Sequence, residues 1–131
     1  MFIYLASPYS APKEMDEEAA EELRETRFYR ACRKAAELME YGHQVFCPIA
    51  HSHPIEFYGM NEIHSGEFWL KQDFAILKHV DAMYVYQMKG WEQSKGIRAE
   101  IEFALAHNIP VFFLETSGKV VPYGTQDRLV A

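Results

Sequence analysis

Apolar residues occur along this chain in short unbroken runs that alternate with longer stretches of helical spacing. Phe2 to Ala6 is an apolar run stopped by Ser7-Pro8, the pattern of a buried parallel strand followed by a turn. From about Met15 to Tyr41 there is no Gly or Pro, and Glu, Ala, Leu and Arg dominate, which predicts a long helix. Gly42 ends it where a left-handed residue is needed. Gln44–Cys47 reads as a second strand, cut by Pro48. Residues 49–64 mix histidines, aromatics, Pro and Gly with no clean period and are expected to form a long, functional loop. Further on, the pattern predicts a helix from about Ser65 to Lys78 and a buried strand over Ala82–Tyr86. A loop over Gln87–Lys95 leads to a helix over Gly96–His107, stopped by Asn108 and Pro110, and a strand over Val111–Leu114. The tail, with Gly118, Pro122 and Gly124, is expected to be irregular.

Strands alternating with helices imply right-handed crossovers and a single α/β domain spanning residues 1–131. The expected architecture is a flavodoxin- or Rossmann-like three-layer fold, an open parallel sheet of about four to five strands with helices on both faces. Ligands of such sheets bind at the carboxyl ends of the strands. The segments to inspect are therefore Ser7–Lys13, Pro48–His64, Gln87–Lys95 and the residues after Leu114.

Composition narrows the class. With 131 residues, 49% hydrophobic and 15% aromatic, the chain can build one core. Cys32 and Cys47 lie in apolar settings and read as buried reduced thiols rather than a disulfide framework. The start MFIYLASPYS has no basic region, and no stretch approaches a spanning helix, so a cytoplasmic protein with no membrane partner is expected. A net charge of −6 without a Lys/Arg run argues against a nucleic-acid polymer as partner. A small anionic ligand held by backbone N–H groups and hydroxyls stays compatible.

The candidate chemistry sits in the last predicted helix. Ile97, Ile101, Ala104 and Leu105 recur at helical spacing, and Glu100 lies between Ile97 and Ala104 on or beside that stripe. Glu102 and Arg98, four apart on another face, read as an ordinary solvated pair. A carboxylate on a packed face needs either a partner or a chemical role, because burying it unpaired is costly. Ser94 before this helix is an N-cap by default; with Gly96 two residues on, the pair also makes a plausible anion or hydroxyl site.

Three segments taken together resemble a known family: Tyr4-Leu-Ala-Ser7-Pro-Tyr9; Trp69 and Asp73 followed at four-residue steps by Leu77, Asp81 and Val85; and Gly90-Trp91 leading to Ser94-x-Gly96-x-x-x-Glu100. Over roughly residues 1–115 the chain resembles the nucleoside 2-deoxyribosyltransferase superfamily, and within it the small proteins grouped as DUF1937 and DUF4406. The resemblance implies that Glu100 is the nucleophile, attacking the anomeric carbon to give a glycosyl-enzyme ester resolved by water or a second base. It implies that Asp73 contacts the leaving base as acid or orienter. Ser7 and Tyr9 would touch the sugar or its 5′ end, and Tyr4 would either contact the nucleophile or serve the core. Asp81 is expected to be structural. The superfamily's transferases carry an aspartate six residues before the nucleophile, where this chain has Ser94, as the related 2′-deoxynucleoside 5′-monophosphate N-hydrolases do. A serine can donate to a phosphate that a carboxylate would repel. The implied reaction is hydrolysis of a nucleotide or deoxynucleotide N-glycosidic bond, the 5′-monophosphate favoured. Base exchange by a transferase and a non-catalytic nucleotide-binding module are the alternatives. Those hydrolases use an arginine in the first loop, where this chain has only Lys13; Arg98 is the substitute.

His43, His51, His53 and His64, with Glu56 and Glu62, lack a standard zinc spacing, so no metal or other cofactor is expected. The segment reads better as a lid on the base side, with Phe57, Tyr58 and Trp69 available to stack on a purine or pyrimidine. Trp91 is either an apolar plug or a wall of the sugar site. By resemblance the protein is a homodimer or larger; the family's asparagine contributed across the interface has no clear counterpart after Leu114, Tyr123 and Gln126 being the only nearby candidates.

Overall fold

The computed structural model describes residues 1–62 and 64–124. Elements follow in the order β1 (Phe2–Ala6), α1 (Glu17–Glu40), β2 (Gln44–Phe46), α2 (Pro48–Gly59), α3 (Gly66–Leu77), β3 (Ala82–Tyr86), α4 (Lys95–Ala106), β4 (Val111–Leu114) and β5 (Val120–Pro122), with a single 3-10 turn at Trp91–Gln93. The strands form one sheet in the order β2-β1-β3-β4-β5. The first four are parallel, as expected, and register is set by pairs such as Tyr4 with Phe46 and with Met83. β5 runs antiparallel to β4, so the tail expected to be irregular adds a short edge strand instead. Pro122 is tolerated there because an edge strand can dispense with a donor.

Alternate strand residues serve the two faces. Tyr4, Ala6, Met83, Val85, Val111 and Phe113 pack under α3 and α4, against Leu77, Ile97, Ile101 and Ala104. Ile3, Leu5, Ala82, Tyr84 and Tyr86 pack under α1 and the start of α2, against Ala31, Ala35 and Ile49. The period of two explains how one short run supplies both cores. Trp91 is half-buried against Phe113, with ring centroids 5.2 Å apart, which is the plug reading.

Helix ends follow the sequence closely. Asp16 caps α1 by accepting from the Ala19 N–H, and Ser65 caps α3 by accepting from Phe68. α1 closes in a Schellman pair, His43 N–H to Leu38 O and Gly42 N–H to Met39 O, with Gly42 at φ +112°. Asp81 is structural as expected: its carboxylate accepts from the Phe2 N–H at 2.8 Å, and its own N–H donates to Phe2 O.

The expected loop over residues 49–64 is wrong for most of its length. Pro48 starts α2 at the position where a missing N–H costs nothing, and the helix runs on to Gly59 through Pro54. Cys32 and Cys47 are free thiols, Cys47 buried and Cys32 half-buried, and burial raises the pKa of both. Among the described residues no helix is long and apolar enough to cross a membrane.

Candidate functional site

Glu100 comes to the centre of the molecule through the pattern of α4. Ile97, Ile101 and Ala104 are buried against β3 and β4, and Glu100, on the same stripe, is only 6% exposed. On that face of the sheet it meets Tyr4, which is fully buried in β1, and the phenol donates to Glu100 Oε2. Asp73 reaches the same region from α3, 7% exposed, with Oδ1 buried and without a protein partner among the described residues. Ser7, in the exit of β1, likewise holds a buried Oγ with no partner there. Four of the residues expected at the site are thus buried, on β1, the turn after it, α3 and α4.

Burial dominates their electrostatics. It drives the Glu100 carboxyl up to about 8; the hydrogen bond from Tyr4 works against this, and the negative field of Asp73 adds to it. Asp73 is pushed up to about 7 by desolvation. Tyr4 is held well above its ordinary value, first by burial and then by the adjacent acids, so it remains a phenol and a donor. Between about pH 7 and pH 8 the two carboxyls hold roughly one proton between them. With the higher pKa, Glu100 holds most of that proton, and the Tyr4 hydrogen bond raises the share of the form in which Glu100 is ionised and Asp73 protonated.

Ser94 caps α4, its Oγ accepting from the Ile97 N–H at 3.1 Å. A Cβ placed on Gly96 would meet only the Ser94 hydroxyl, at 3.8 Å, so the first turn of α4 is open there. The Arg98–Glu102 pair expected from spacing does not form: Glu102 faces solvent, and Arg98 turns a buried Nε inward, without a partner among the described residues. Trp69 is committed to α2, its Nε1–H donating to Glu56 at 2.7 Å. Phe57 and Tyr58 are exposed and stack edge-to-face on one another. Tyr123 packs on Phe113 within this chain's own core, and Gln126 lies outside the described residues.

Two arrangements escaped the sequence. Arg27, in the buried Ala20–Ala31–Ala35 stripe of α1, donates to Ser10 O at 2.8 Å and to Lys89 O at 3.0 Å. It thereby ties the β1 exit to the β3 exit, across the point where strand order reverses. Gly90 makes room for it: at φ +91°, a Cβ there would stand 2.6 Å from Arg27 Nη2. An arginine in an alanine stripe was the available signal. The second arrangement is a chain of side chains from three segments. Tyr9 Oη lies 2.6 Å from His53 Nδ1, and His53 Nε2 lies 3.1 Å from Glu25 Oε2. Spacing gives no sign of it.

No curated protein matches this chain. It is similar to a solved structure of a 2-deoxyribosyltransferase from the psychrotolerant bacterium Bacillus psychrosaccharolyticus, 22% identical, with a TM-score of 0.62 over 100% of this chain and 84% of that one. That likeness shows a nucleoside 2-deoxyribosyltransferase-like fold. A family model described as a domain of unknown function, DUF1937, matches residues 1–116, and the chain belongs to that family.

Proposed function

We propose that the protein is an enzyme that breaks the N-glycosidic bond of a nucleotide or deoxynucleotide, with Glu100 as nucleophile and water as acceptor. The observation that carries this reading is the buried Tyr4–Glu100 hydrogen bond with Asp73 beside it: two buried carboxyls share one proton near neutrality, and the reacting form is the one with Glu100 ionised and Asp73 protonated. The Glu100 carboxylate attacks the anomeric carbon as the C–N bond breaks, forming a glycosyl ester. The departing base takes its proton from Asp73. Water then attacks the anomeric carbon as its bond to the Glu100 oxygen breaks, Glu100 leaves as carboxylate and the water's proton returns to Asp73. Tyr4 holds the reacting oxygens of Glu100 in place and favours the ionised form. Ser7 Oγ and Asp73 Oδ1, without protein partners among the described residues, supply hydrogen bonds to the sugar and the base.

The 5′-monophosphate is favoured at the start of α4. Ser94 Oγ already accepts from Ile97, which leaves its hydroxyl proton free to donate to an anion. The N-terminal N–H groups of α4 reinforce this, and Arg98, not paired with Glu102, offers a cation one turn on. The 2-deoxyribosyltransferase of similar fold keeps base exchange as the second reading, since both reactions use one glycosyl-enzyme and differ only in the acceptor.

Free-base release from ribo- and deoxyribonucleosides and their 5′-monophosphates, followed by chromatography with and without a second base, tests the proposal. Release from the monophosphates without an acceptor, abolished in Glu100→Ala, is expected. Turnover only when a second base is added would make it a transferase. Binding without release from any substrate would make it a nucleotide-binding module.

A further inference from the structure

The Tyr9–His53–Glu25 chain lies outside the chemistry described above, and it joins three separate parts of the fold. Tyr9 is in the exit of β1, His53 is on α2 and Glu25 is on α1. Phe28 of α1 stacks on the imidazole at 4.2 Å, and Tyr9 meets it edge-on at 5.6 Å. The His53 side chain is 14% exposed, while Glu25 is 66% exposed. An exposed carboxylate anchors the outer nitrogen, and the covered inner nitrogen faces the phenol.

We propose that His53 is a positioning residue that sets the hydrogen-bond direction of Tyr9: with the imidazole neutral, Tyr9 turns an acceptor towards a hydroxyl of the substrate's sugar, and protonation reverses it. This rests on the reading of the site as one for nucleosides or nucleotides. The argument follows from donors and acceptors. Ionised Glu25 can only accept, so Nε2 must carry a hydrogen. In a neutral ring Nδ1 is then bare and can only accept. The 2.6 Å contact therefore has the Tyr9 hydroxyl as donor. The phenol keeps its proton throughout the working range, because burial and the nearby Glu56 and Glu25 push its pKa up to about 12, Arg24 opposing them. With its proton committed to His53, Tyr9 has only lone pairs left for a ligand. That suits a sugar hydroxyl and not a phosphate oxygen, and it separates the role of Tyr9 from that of Ser94.

Protonating His53 puts a hydrogen on Nδ1. Nδ1–H then donates to Tyr9, and the phenolic proton swings outward. The same oxygen now offers a donor, so the sugar hydroxyl has to turn a lone pair towards it and gives up the bond it donated. The charged groups around the chain are Glu25 and Arg24 on α1 and Glu56 on α2, besides Tyr9 itself. Glu56 is engaged by Trp69 of α3, so Glu25 is the carboxylate that meets the imidazolium.

Two measurements on the full chain test this. Histidine-labelled NMR at pH 8 should find His53 as the Nε2–H tautomer; the Nδ1–H tautomer would overturn the proposal. Calorimetric binding of thymidine and of its 3′-deoxy analogue to Glu100→Gln, which binds without turnover, gives the second. From pH 7.5 to pH 5.5 thymidine affinity should fall about fivefold, the size of one neutral hydrogen bond. Adding Tyr9→Phe, or His53→Asn with its non-titrating amide oxygen in place of Nδ1, should remove that dependence. An unchanged pH profile in both double variants would refute the role of His53. Glu25→Ala, on an exposed side chain, should release the tautomer and let Nδ1–H appear; no change there refutes the anchor. If neither ligand binds while the Nε2–H tautomer is present, the nucleoside reading fails and the sugar contact with it, whereas a wrong tautomer with intact binding overturns only the role of His53.

Discussion

Glu100→Gln should make the protein more stable at alkaline pH while removing the proposed nucleophile. Folding takes this carboxyl from an ordinary value of 4.5 to about 8, mainly through burial. Between those values the unfolded chain is ionised and the folded one protonated, so the folded state binds more protons and stability falls as pH rises. The contribution is fully present below about pH 4.5 and is lost as pH rises to about 8. At about 1.36 kcal/mol per pKa unit, the interval from pH 5 to pH 8 has an upper bound of roughly 4 kcal/mol. Relaxation around the site brings the expected change to on the order of 2–3 kcal/mol. Glutamine keeps an oxygen for the Tyr4 hydroxyl and carries no charge at any pH. Urea unfolding of both proteins at pH 5, 6, 7 and 8.5 isolates the effect, because every other titrating group largely cancels in the difference. The variant should gain on the wild type steadily with pH. Parallel stability curves would show that Glu100 is not desolvated in the folded protein, and the pKa argument for the site would fail with them.

The activity itself should be bell-shaped. Below about pH 7 both carboxyls hold protons and there is no nucleophile, and above about pH 8 both are ionised and there is no acid, so kcat/KM should peak between, as a pH–rate series would record. Ser94→Asp retains an N-cap, so melting should shift little, but a carboxylate beside the 5′ group should lower kcat/KM for a monophosphate more than tenfold and spare the nucleoside. Gly90→Ala forces a side chain into φ +91° and against Arg27; it should lose about 1–2 kcal/mol in chemical unfolding.

Much of this fold is legible in the sequence because buried parallel strands are short apolar runs, and β1, β3 and β4 are that and little else. α2 is not, because two prolines and scattered aromatics hide its period. Yet Pro48 belongs at a helix start, and Pro54 is carried by a helix packed on α1 rather than by local propensity. β5 is three residues of edge strand, too short to carry an alternation. At the site, Glu100 is legible as an acid on an apolar stripe. Its partner is not legible from spacing: Tyr4 lies 96 residues away, and only the sheet order brings β1 beside β3 and under α4. The resemblance left Tyr4 divided between the core and contact with Glu100, and the structure buries it in the core with its hydroxyl on Glu100.

The identity of that partner supports the proposed role of Glu100 over a purely structural one. A buried glutamate whose task is to hold a fold is best matched by a guanidinium, which lowers its pKa and fixes the charge. This chain has a buried arginine, yet Arg27 directs its donors to the carbonyls of Ser10 and Lys89. Glu100 receives a neutral phenol instead. A phenol supplies direction without cancelling the charge, so the carboxylate keeps its basicity and its nucleophilic strength. It follows that Tyr4→Phe should leave the fold intact, since the ring still fills the core, while the alkaline limb of kcat/KM moves upward as ionised Glu100 loses its donor. The rate at pH 7 should fall at least tenfold, about 1.4 kcal/mol of lost stabilisation. A variant with unchanged pH dependence would mean that the Tyr4 hydroxyl packs beside Glu100 without acting on it.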